Sequence, residues 1–277
     1  MIGVLFDLIE SSDVIENSYA AGILQGIVRE ARSAHYDVLI YTEPRASDGV
    51  PGTDFRDQRT DGVILVAPLI GSTLLERVAE AGLPTCVISS NTALSQTVSR
   101  VDTDHAGGVR SIVRHLLELG HRRIAHVPGK ENGSSTIRRC EAFKAALAEA
   151  GLPLPAGYLT PSPYDGFPVQ VSLRALMALP EPPTAIFAFS DDIALGILRA
   201  ARRLRVPVPR RLSIVGFDDI PVVSDVVPPL TTVRQPLKEI GAASVRRLLG
   251  HIDGERVTVE ESLPTTLIVR RSTAPPL

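Results

Sequence analysis

The sequence predicts an α/β protein made of two lobes, each with a doubly wound parallel sheet. Short apolar runs alternate along the chain with helical patterns, the order expected when helices cover both faces of a parallel sheet. The alternation occurs in two series of similar size, with no long linker between them. With 277 residues, 44% of them hydrophobic, the chain is long enough to bury a core in each lobe.

In the first series, strands are predicted where apolar runs are bounded by polar or turn residues. Ile23, Ile27 and Ala31 recur at i, i+4 and i+8, which predicts a helix with one apolar face. Gly82 marks the end of a second, short helix. The predicted elements are strand 2–6, helix 19–34, strand 37–41, strand 62–66, helix 73–81 and strand 85–89.

The second series repeats the same rhythm with clearer helix ends. Gly120 and Gly151 follow the last apolar residues of two helices, and Pro236 suits the first position of another. A further helix starts right after Ser190, between two apolar runs. The other predicted elements are helix 104–119, strand 123–127, helix 137–150, a weak strand 157–160, helix 169–179, strands 185–189 and 212–217, helix 236–252 and strand 265–269.

Composition and charge argue against several classes of protein. The formal net charge is −2, and we expect the arginines to be dispersed over the surface. No nucleic-acid or membrane binding is therefore expected of this segment alone. No apolar run approaches the ~20 residues of a membrane-spanning helix, and no secretory leader is visible. Cys86 and Cys140 are expected to be reduced, buried thiols, with a single disulfide as the alternative, which favours a cytoplasmic protein.

Motifs for catalysis or metal binding are weak. Gly129 and Lys130 follow a predicted strand, but a P-loop needs an upstream glycine and a serine or threonine after the lysine. The histidines show no HxH or HExxH spacing, and no GxSxG motif is present. Asp218 and Asp219 are candidate paired carboxylates, although a turn or cap is the commoner role. We therefore expect no enzyme, no catalytic residue, no metal ligand and no cofactor.

Polar residues near strand ends instead indicate a ligand-binding site. Asp191 follows a predicted strand, where its carboxylate suits a ligand with adjacent hydroxyls or amines. The alternative is a carboxylate that stabilises the first turn of a helix, and Asp192 fits that role equally well. Arg139 lies in the first turn of a helix after a loop that contains Ser135, which suits hydroxyl or carboxylate recognition. The alternative there is a capping hydroxyl and a solvent-facing arginine.

Two tyrosines are further candidates. Tyr164 lies in a predicted loop and Tyr19 opens the first long helix. Each is placed either to stack on a planar or sugar-like ligand or to cover the edge of a core.

Several motifs give the chain a family likeness that runs nearly from end to end. The most specific are FAFSDDIALGIL, VPVPRRLSIVGFDDI and PPLTTVRQP, in that order and spacing. They are preceded by TDGVILVAP at 60–68, HLLELGHRRIAHVPG at 115–129 and RRCEAFKAAL at 138–147. With these motifs the chain resembles the effector-binding and dimerisation region of LacI/GalR-type bacterial transcription repressors.

The resemblance implies the periplasmic-binding-protein-like fold, with two lobes joined by three crossovers. It implies an N-terminal lobe of residues 1–99 plus 220–253 and a C-terminal lobe of 100–219 plus 254–277. It also implies a homodimer with a small effector in the cleft between lobes, a sugar or a related polyol or nucleoside. The family's DNA-binding headpiece does not match this sequence, so operator DNA is expected as a partner only through an upstream segment, and no membrane is expected as a partner.

The resemblance also assigns roles to individual residues. It implies effector contacts at Tyr19, Ser135, Arg139, Tyr164 and Asp191, with Asp191 preferred over Asp192. The sequence departs from the family pattern at three places. Ala20 stands where a second aromatic is usual, and two serines at 89–90 replace an acidic or aromatic pair. Serine and proline at 162–163 replace the usual Gly-Asp. Because only 4% of residues are aromatic, the effector is expected to differ from a plain pyranose.

The main alternative is the solute-binding receptor of a sugar transporter, which has the same fold. Such a receptor is expected to carry a signal peptide and to act as a monomer. The absent secretory start and the PPLTTVRQP stretch argue against it.

Overall fold

The structure is a computed structural model that describes residues 1–7, 17–41, 54–91, 98–165 and 167–277. These residues form two compact units. The first unit comprises Met1–Thr103, Asn132–Ser134 and Pro236–Leu263, and the second comprises Asp104–Glu131, Ser135–Gln235 and Pro264–Leu277. Within the described ranges, no helix is both long and apolar enough to cross a membrane.

Seven α-helices and eleven strands lie in the described ranges, with two short 3-10 helices at Pro163–Asp165 and Pro221–Ser224. In chain order they are β1 (Ile2–Phe6), α1 (Ser18–Ser33), β2 (Val38–Ile40), β3 (Gly62–Val66), α2 (Leu74–Glu80), β4 (Thr85–Ile88), β5 (Val98–Thr103), α3 (His105–Glu118), β6 (Ile124–Val127), α4 (Ser134–Glu149), α5 (Val169–Met177), β7 (Ala185–Ala188), α6 (Asp191–Arg203), β8 (Ser213–Val215), β9 (Thr232–Arg234), α7 (Leu237–Ile252), β10 (Glu260–Leu263) and β11 (Thr266–Ile268).

The first unit is built on a parallel sheet with strand order β10-β5-β4-β3-β1-β2. The strands β1 and β3 are continuous apolar runs and are buried along their whole length, as expected of central strands in a parallel sheet. Helices α1 and α7 cross at glycines, since a Cβ at Gly26 would collide with the Lys238 carbonyl. Through this close crossing both helices cover the apolar core on one face of the sheet.

The second unit is built on a parallel sheet with strand order β6-β7-β8 and a separate antiparallel pair, β9 and β11. Helix α6 begins where β7 ends, because the Ser190 hydroxyl accepts a hydrogen bond from the Ile193 amide at 3.3 Å and caps the helix. The large side chains of Phe143, Phe187 and Phe217 fill one core of this unit. The second unit therefore presents the ends of three parallel strands at one edge.

The observed elements differ from the predicted ones in a few places. The predicted strands 2–6 and 62–66 match the structure residue for residue. The strands β5, β9 and β10 were not predicted, and the weak strand 157–160 is reduced to one bridge between Leu159 and His126. Helix α4 begins at Ser134, three residues before the predicted start.

The unit boundaries also differ from the lobe boundaries that the family resemblance implies. Residues 220–235 lie in the second unit, because Thr231 bridges to Val215 and the Asp218 amide donates to the Val233 carbonyl at 2.7 Å. Residues 254–263 lie in the first unit, because β10 pairs with β5. The chain therefore passes between units at 103–104, 235–236 and 263–264, apart from the short segment Asn132–Ser134.

Candidate functional site

The carboxyl ends of β7 and β8 are followed by polar and aromatic residues in the second unit. Phe189 and Asp191 follow β7, and Phe217 and Asp218 follow β8. In open parallel sheets ligands bind at this edge, where the loops that leave neighbouring strands converge. Arg139 comes to the same edge from α4, and we call these five residues the strand-end cluster.

Arg139 is the buried cation of this cluster, with only 2% of its surface exposed. Its Nη1 donates to the Phe189 carbonyl at 2.5 Å, and its Nε donates to His105 Nδ1 at 3.2 Å. The guanidinium lies 3.7 Å from the centre of the Phe217 ring and 4.5 Å from that of Phe189. Two ring faces and two acceptors thus hold a permanent positive charge in one orientation.

Asp218 is the acidic residue nearest to Arg139, with 3.9 Å between Oδ1 and Nη1. Its Oδ1 also accepts from Gln235 Nε2 at 2.6 Å. Burial raises the pKa of the Asp218 carboxyl, and the nearby Asp191 carboxylate raises it further, whereas Arg139 lowers it. The backbone of Asp218 has φ +129°, a conformation that normally requires glycine. The fold therefore holds this carboxylate beside the arginine at a cost in backbone strain.

The next residue, Asp219, has a structural role. It accepts from Arg234 Nε and from Arg270 Nη2, both at 2.7 Å. These contacts tie the loop after β8 to β9 and to the segment that follows β11.

Asp191 lies in the cluster but is turned away from solvent, with 0% of its surface exposed. Its Oδ1 accepts from the Thr232 hydroxyl at 2.6 Å, and its Oδ2 accepts from the Ile220 amide at 3.0 Å. Burial is the main reason that the pKa of this carboxyl is raised. Both oxygens are thus engaged within the second unit, and the absent side chain at Gly216 lets the carboxylate fold inward; an effector contact at Asp191 stays a prediction.

Ser135 and Tyr164 are the other two predicted site residues in the second unit. Ser135 is buried in the first turn of α4, four residues before Arg139 and so on the same helix face. Tyr164 lies in the 3-10 helix Pro163–Asp165 with 51% of its surface exposed, and its amide donates to the Ser162 hydroxyl at 3.1 Å.

Tyr19 belongs to a separate polar group in the first unit. Its hydroxyl is 3.3 Å from the Ser89 hydroxyl, which in turn donates to Asp102 Oδ1 at 3.0 Å. The Ser90 carbonyl accepts from Arg100 Nη1 at 2.8 Å. The serine pair after β4 therefore joins Tyr19 to two buried charged residues of β5.

Sequence reasoning missed three contributors to the strand-end cluster: Asp218 as a site residue and Phe189 and Phe217 as ring partners of Arg139. For Asp218 the sequence favours a turn or cap and leaves a paired carboxylate as the alternative. The signal for it was present, because Asp218 follows β8 in the same way that Asp191 follows β7, and the ends of parallel neighbours lie side by side. The stacking of both rings on Arg139 depends on how α4 packs, which no local pattern reveals.

The cluster offers a hydrogen-bonding pattern suited to hydroxylated molecules. A sugar hydroxyl both donates and accepts, and a carboxylate beside a guanidinium presents the complementary acceptor and donors. A carboxylate has about four acceptor positions, and the described contacts of Asp218 leave it capacity for a further donor.

Known proteins share this fold over nearly the whole chain. Residues 113–273 match the family described as the periplasmic binding protein-like domain. The transcriptional repressor CytR of Escherichia coli (strain K12) is 30% identical over 259 residues, covering 91% of this chain and 74% of CytR.

Two solved structures are similar to the chain. A complex of the transcriptional regulator CelR with cellobiose has a TM-score of 0.88 at 28% identity, covering 98% of this chain and 84% of that chain. A LacI family transcriptional regulator from Enterococcus faecium with bound ribose has a TM-score of 0.82 at 26% identity, covering 99% of both chains. The chain therefore belongs to the periplasmic binding protein-like domain family, in the branch formed by LacI-type transcriptional regulators.

Proposed function

We propose that the chain is the effector-sensing region of a transcription regulator and that the strand-end cluster contacts a small hydroxylated effector. The observation that carries this proposal is the Arg139–Asp218 pair, held by two aromatic rings and by a strained backbone at the end of a parallel sheet. A sugar or a related polyol or nucleoside presents the adjacent hydroxyls that such a pair recognises. The cellobiose and ribose bound by the two similar structures support this class.

In this proposal Asp218 takes the role that the sequence assigned to Asp191. Arg139 and Ser135 approach from α4, and the exposed ring of Tyr164 offers a stacking surface in the second unit. Asp191 stabilises the structure around the site, because it accepts hydrogen bonds from the Thr232 hydroxyl and from the Ile220 amide. Tyr19, in the first unit, stays a predicted effector contact.

The wider assignments follow from the family and are also proposals. The relatives are transcription regulators, so we propose a regulator that binds operator DNA through a headpiece outside this chain, acts in the cytoplasm as a homodimer, and catalyses no reaction. Sedimentation at micromolar concentrations tests the homodimer. A single monomeric species would contradict it.

A thermal-shift screen against sugars, polyols, nucleosides and sugar phosphates identifies the effector, because a ligand that binds only the folded state raises its stability. Calorimetry then compares the wild-type protein with the variant Asp218→Asn and the matched control Asp225→Asn, an exposed aspartate of the same unit. Loss of a charge-assisted hydrogen bond predicts affinity reduced by roughly 10- to 100-fold in Asp218→Asn and unchanged in the control. Equal affinities in all three proteins would contradict the proposed site.

A further inference from the structure

His105 lies beside a point where the chain passes between the two units. The second unit begins at Asp104, and His105 is the first residue of α3. The Asp104 side chain caps this helix by accepting from the Gly107 amide at 2.8 Å, and its backbone carbonyl accepts from the Thr265 hydroxyl at 3.3 Å. Thr265 itself lies next to another such passage, at 263–264. Chain segments at two passages therefore fix the start of α3, and with it the position of the His105 ring.

The side chain of His105 is buried against the strand-end cluster, with 4% of the residue's surface exposed. Its Nδ1 lies 3.2 Å from Arg139 Nε, and its ring centre lies 6.2 Å from that of Phe217. Gly108, almost one turn further along α3, makes this approach possible, because a Cβ there would lie 2.9 Å from carbons of the Phe217 ring. The first turn of α3 thus packs directly on two members of the cluster.

The contact with Arg139 defines the chemical state of the imidazole. A guanidinium group carries only donors, so His105 Nδ1 must accept and bears no proton. The ring in this contact is therefore neutral, with its proton on Nε2. A phenylalanine at this position would fill similar space but offers no acceptor, whereas an asparagine carries an oxygen near the place of Nδ1. The two replacements separate the shape of the side chain from its hydrogen bond.

Two acceptors at different nitrogen atoms orient the guanidinium of Arg139. The Phe189 carbonyl accepts from Nη1, and His105 accepts from Nε. One contact would let the planar group turn about that bond, whereas two contacts fix its plane. The position of Nη1, which lies 3.9 Å from Asp218 Oδ1, depends on this plane. The hydrogen-bonding pattern that the Arg139–Asp218 pair offers to a ligand therefore depends on His105.

We propose that His105 is a positioning residue for effector binding: its Nδ1 orients Arg139 and thereby sets the affinity of the strand-end cluster for a hydroxylated ligand. This inference rests on the proposed function of that cluster. It adds a route from the backbone to the site, because a change in the chain at 103–104 moves the acceptor of Arg139. The alternative is a histidine that only fills space beside Phe217, a role that does not need a ring nitrogen.

NMR spectroscopy of the 15N-labelled protein tests the orienting role without a ligand. Long-range 1H–15N spectra should show His105 with an unprotonated Nδ1. The Nε proton of Arg139 should exchange with water roughly tenfold or more faster in His105→Phe than in the wild-type protein, because a hydrogen bond from a charged group is lost. In His105→Asn the rate should stay within about threefold of the wild-type rate, because an acceptor remains. A protonated Nδ1, or equal rates in His105→Phe and the wild-type protein, would overturn the proposal.

Calorimetry then measures the affinity for the compound that gives the largest shift in the thermal screen. His105→Phe should bind this compound roughly tenfold or more weakly, and His105→Asn should keep the affinity within about threefold of the wild-type value. The matched control His115→Asn changes a half-buried histidine of the same helix and should leave the affinity unchanged. Urea denaturation of each variant verifies that the second unit stays folded.

The outcomes separate this inference from the proposed function. If Asp218→Asn weakens binding and His105→Phe does not, the cluster binds the effector but His105 does not position Arg139. Equal losses in His105→Phe and His105→Asn would likewise overturn the role of the acceptor. If neither Asp218→Asn nor His105→Phe weakens binding, the proposed site and this inference are both wrong. If the screen yields no ligand, the proposed function fails, and the NMR result alone decides whether His105 orients Arg139.

Discussion

Replacement of Asp191 by alanine separates a structural role for this carboxylate from a ligand-binding role. In the folded protein Asp191 accepts from the Thr232 hydroxyl and from the Ile220 amide, and all three residues are buried. Asp191→Ala leaves both donors without a partner, and a buried unsatisfied donor costs about 1–3 kcal/mol. Removal of a carboxylate that is disfavoured by burial and by the neighbouring Asp219 returns about 1–2 kcal/mol. We therefore expect a net loss of about 2–3 kcal/mol in the free energy of unfolding.

Urea denaturation followed by far-UV circular dichroism measures this loss. The double variant Asp191→Ala, Thr232→Val removes a donor together with its acceptor, so the alanine change should cost about 1–2 kcal/mol less in the valine background. Hydrogen exchange gives a local reading, because the Ile220 amide should exchange faster once its acceptor is absent. If Asp191→Ala keeps wild-type stability and Ile220 protection but loses effector binding, the structural role is wrong and the original sequence interpretation holds.

Three further predictions concern stability. Gly216→Ala should destabilise the second unit by about 2 kcal/mol or more, because its Cβ would overlap the Asp191 carboxylate, and urea midpoints measure this; an unchanged midpoint would refute the inward packing. Gly26→Ala should cost as much or more in the first unit, because the added carbon meets the rigid Lys238 carbonyl; the thermal midpoint should fall by several degrees. Burial lowers the pKa of His126 to about 4, so the unfolded chain binds this proton first and stability falls as pH drops from about 6.5 to about 4. His126→Phe should remove roughly 3 kcal/mol of that acid-induced loss of stability. Urea midpoints of the wild-type protein and the variant at pH 7 and pH 4 measure the difference. The buried carboxyls of the cluster, whose pKa values are raised, titrate alike in both proteins and therefore cancel in this comparison.

The parts of the fold that sequence alone predicted are those with a local signal. The strands β1 and β3 are uninterrupted apolar runs, and the pattern located both ends of each. In β5, Arg100 and Asp102 break the apolar pattern although all six residues are buried, because these charged side chains are hydrogen-bonded to the turn after β4. The strand β10 is polar and lies at the sheet edge, and its pairing with β5 defines it. No short-range rule contains that information.

The candidate site was likewise predicted only in part from the sequence. The position of Arg139 at the start of a helix left a solvent-facing arginine equally open, and the family resemblance assigned it to the site. The structure buries it within the cluster. The choice between Asp191 and Asp218 was beyond a sequence argument, because both follow parallel strands and both are buried. They differ in their partners, Thr232 and the Ile220 amide for Asp191 but Gln235 and Arg139 for Asp218, and these partners are distant in sequence.

Because each unit is assembled from separate segments of the chain, the order of synthesis determines when each unit can fold. The first unit needs α7 and β10, and the second needs β11 and the residues after it, where Ser272 donates to the Ile214 carbonyl and accepts from the Thr231 amide. Although most of each unit is made earlier, neither can close before residues beyond 235 have left the ribosome. Sheet edges and apolar faces of both incomplete units therefore stay exposed at the same time during translation. We expect chaperones to bind the nascent chain at this stage.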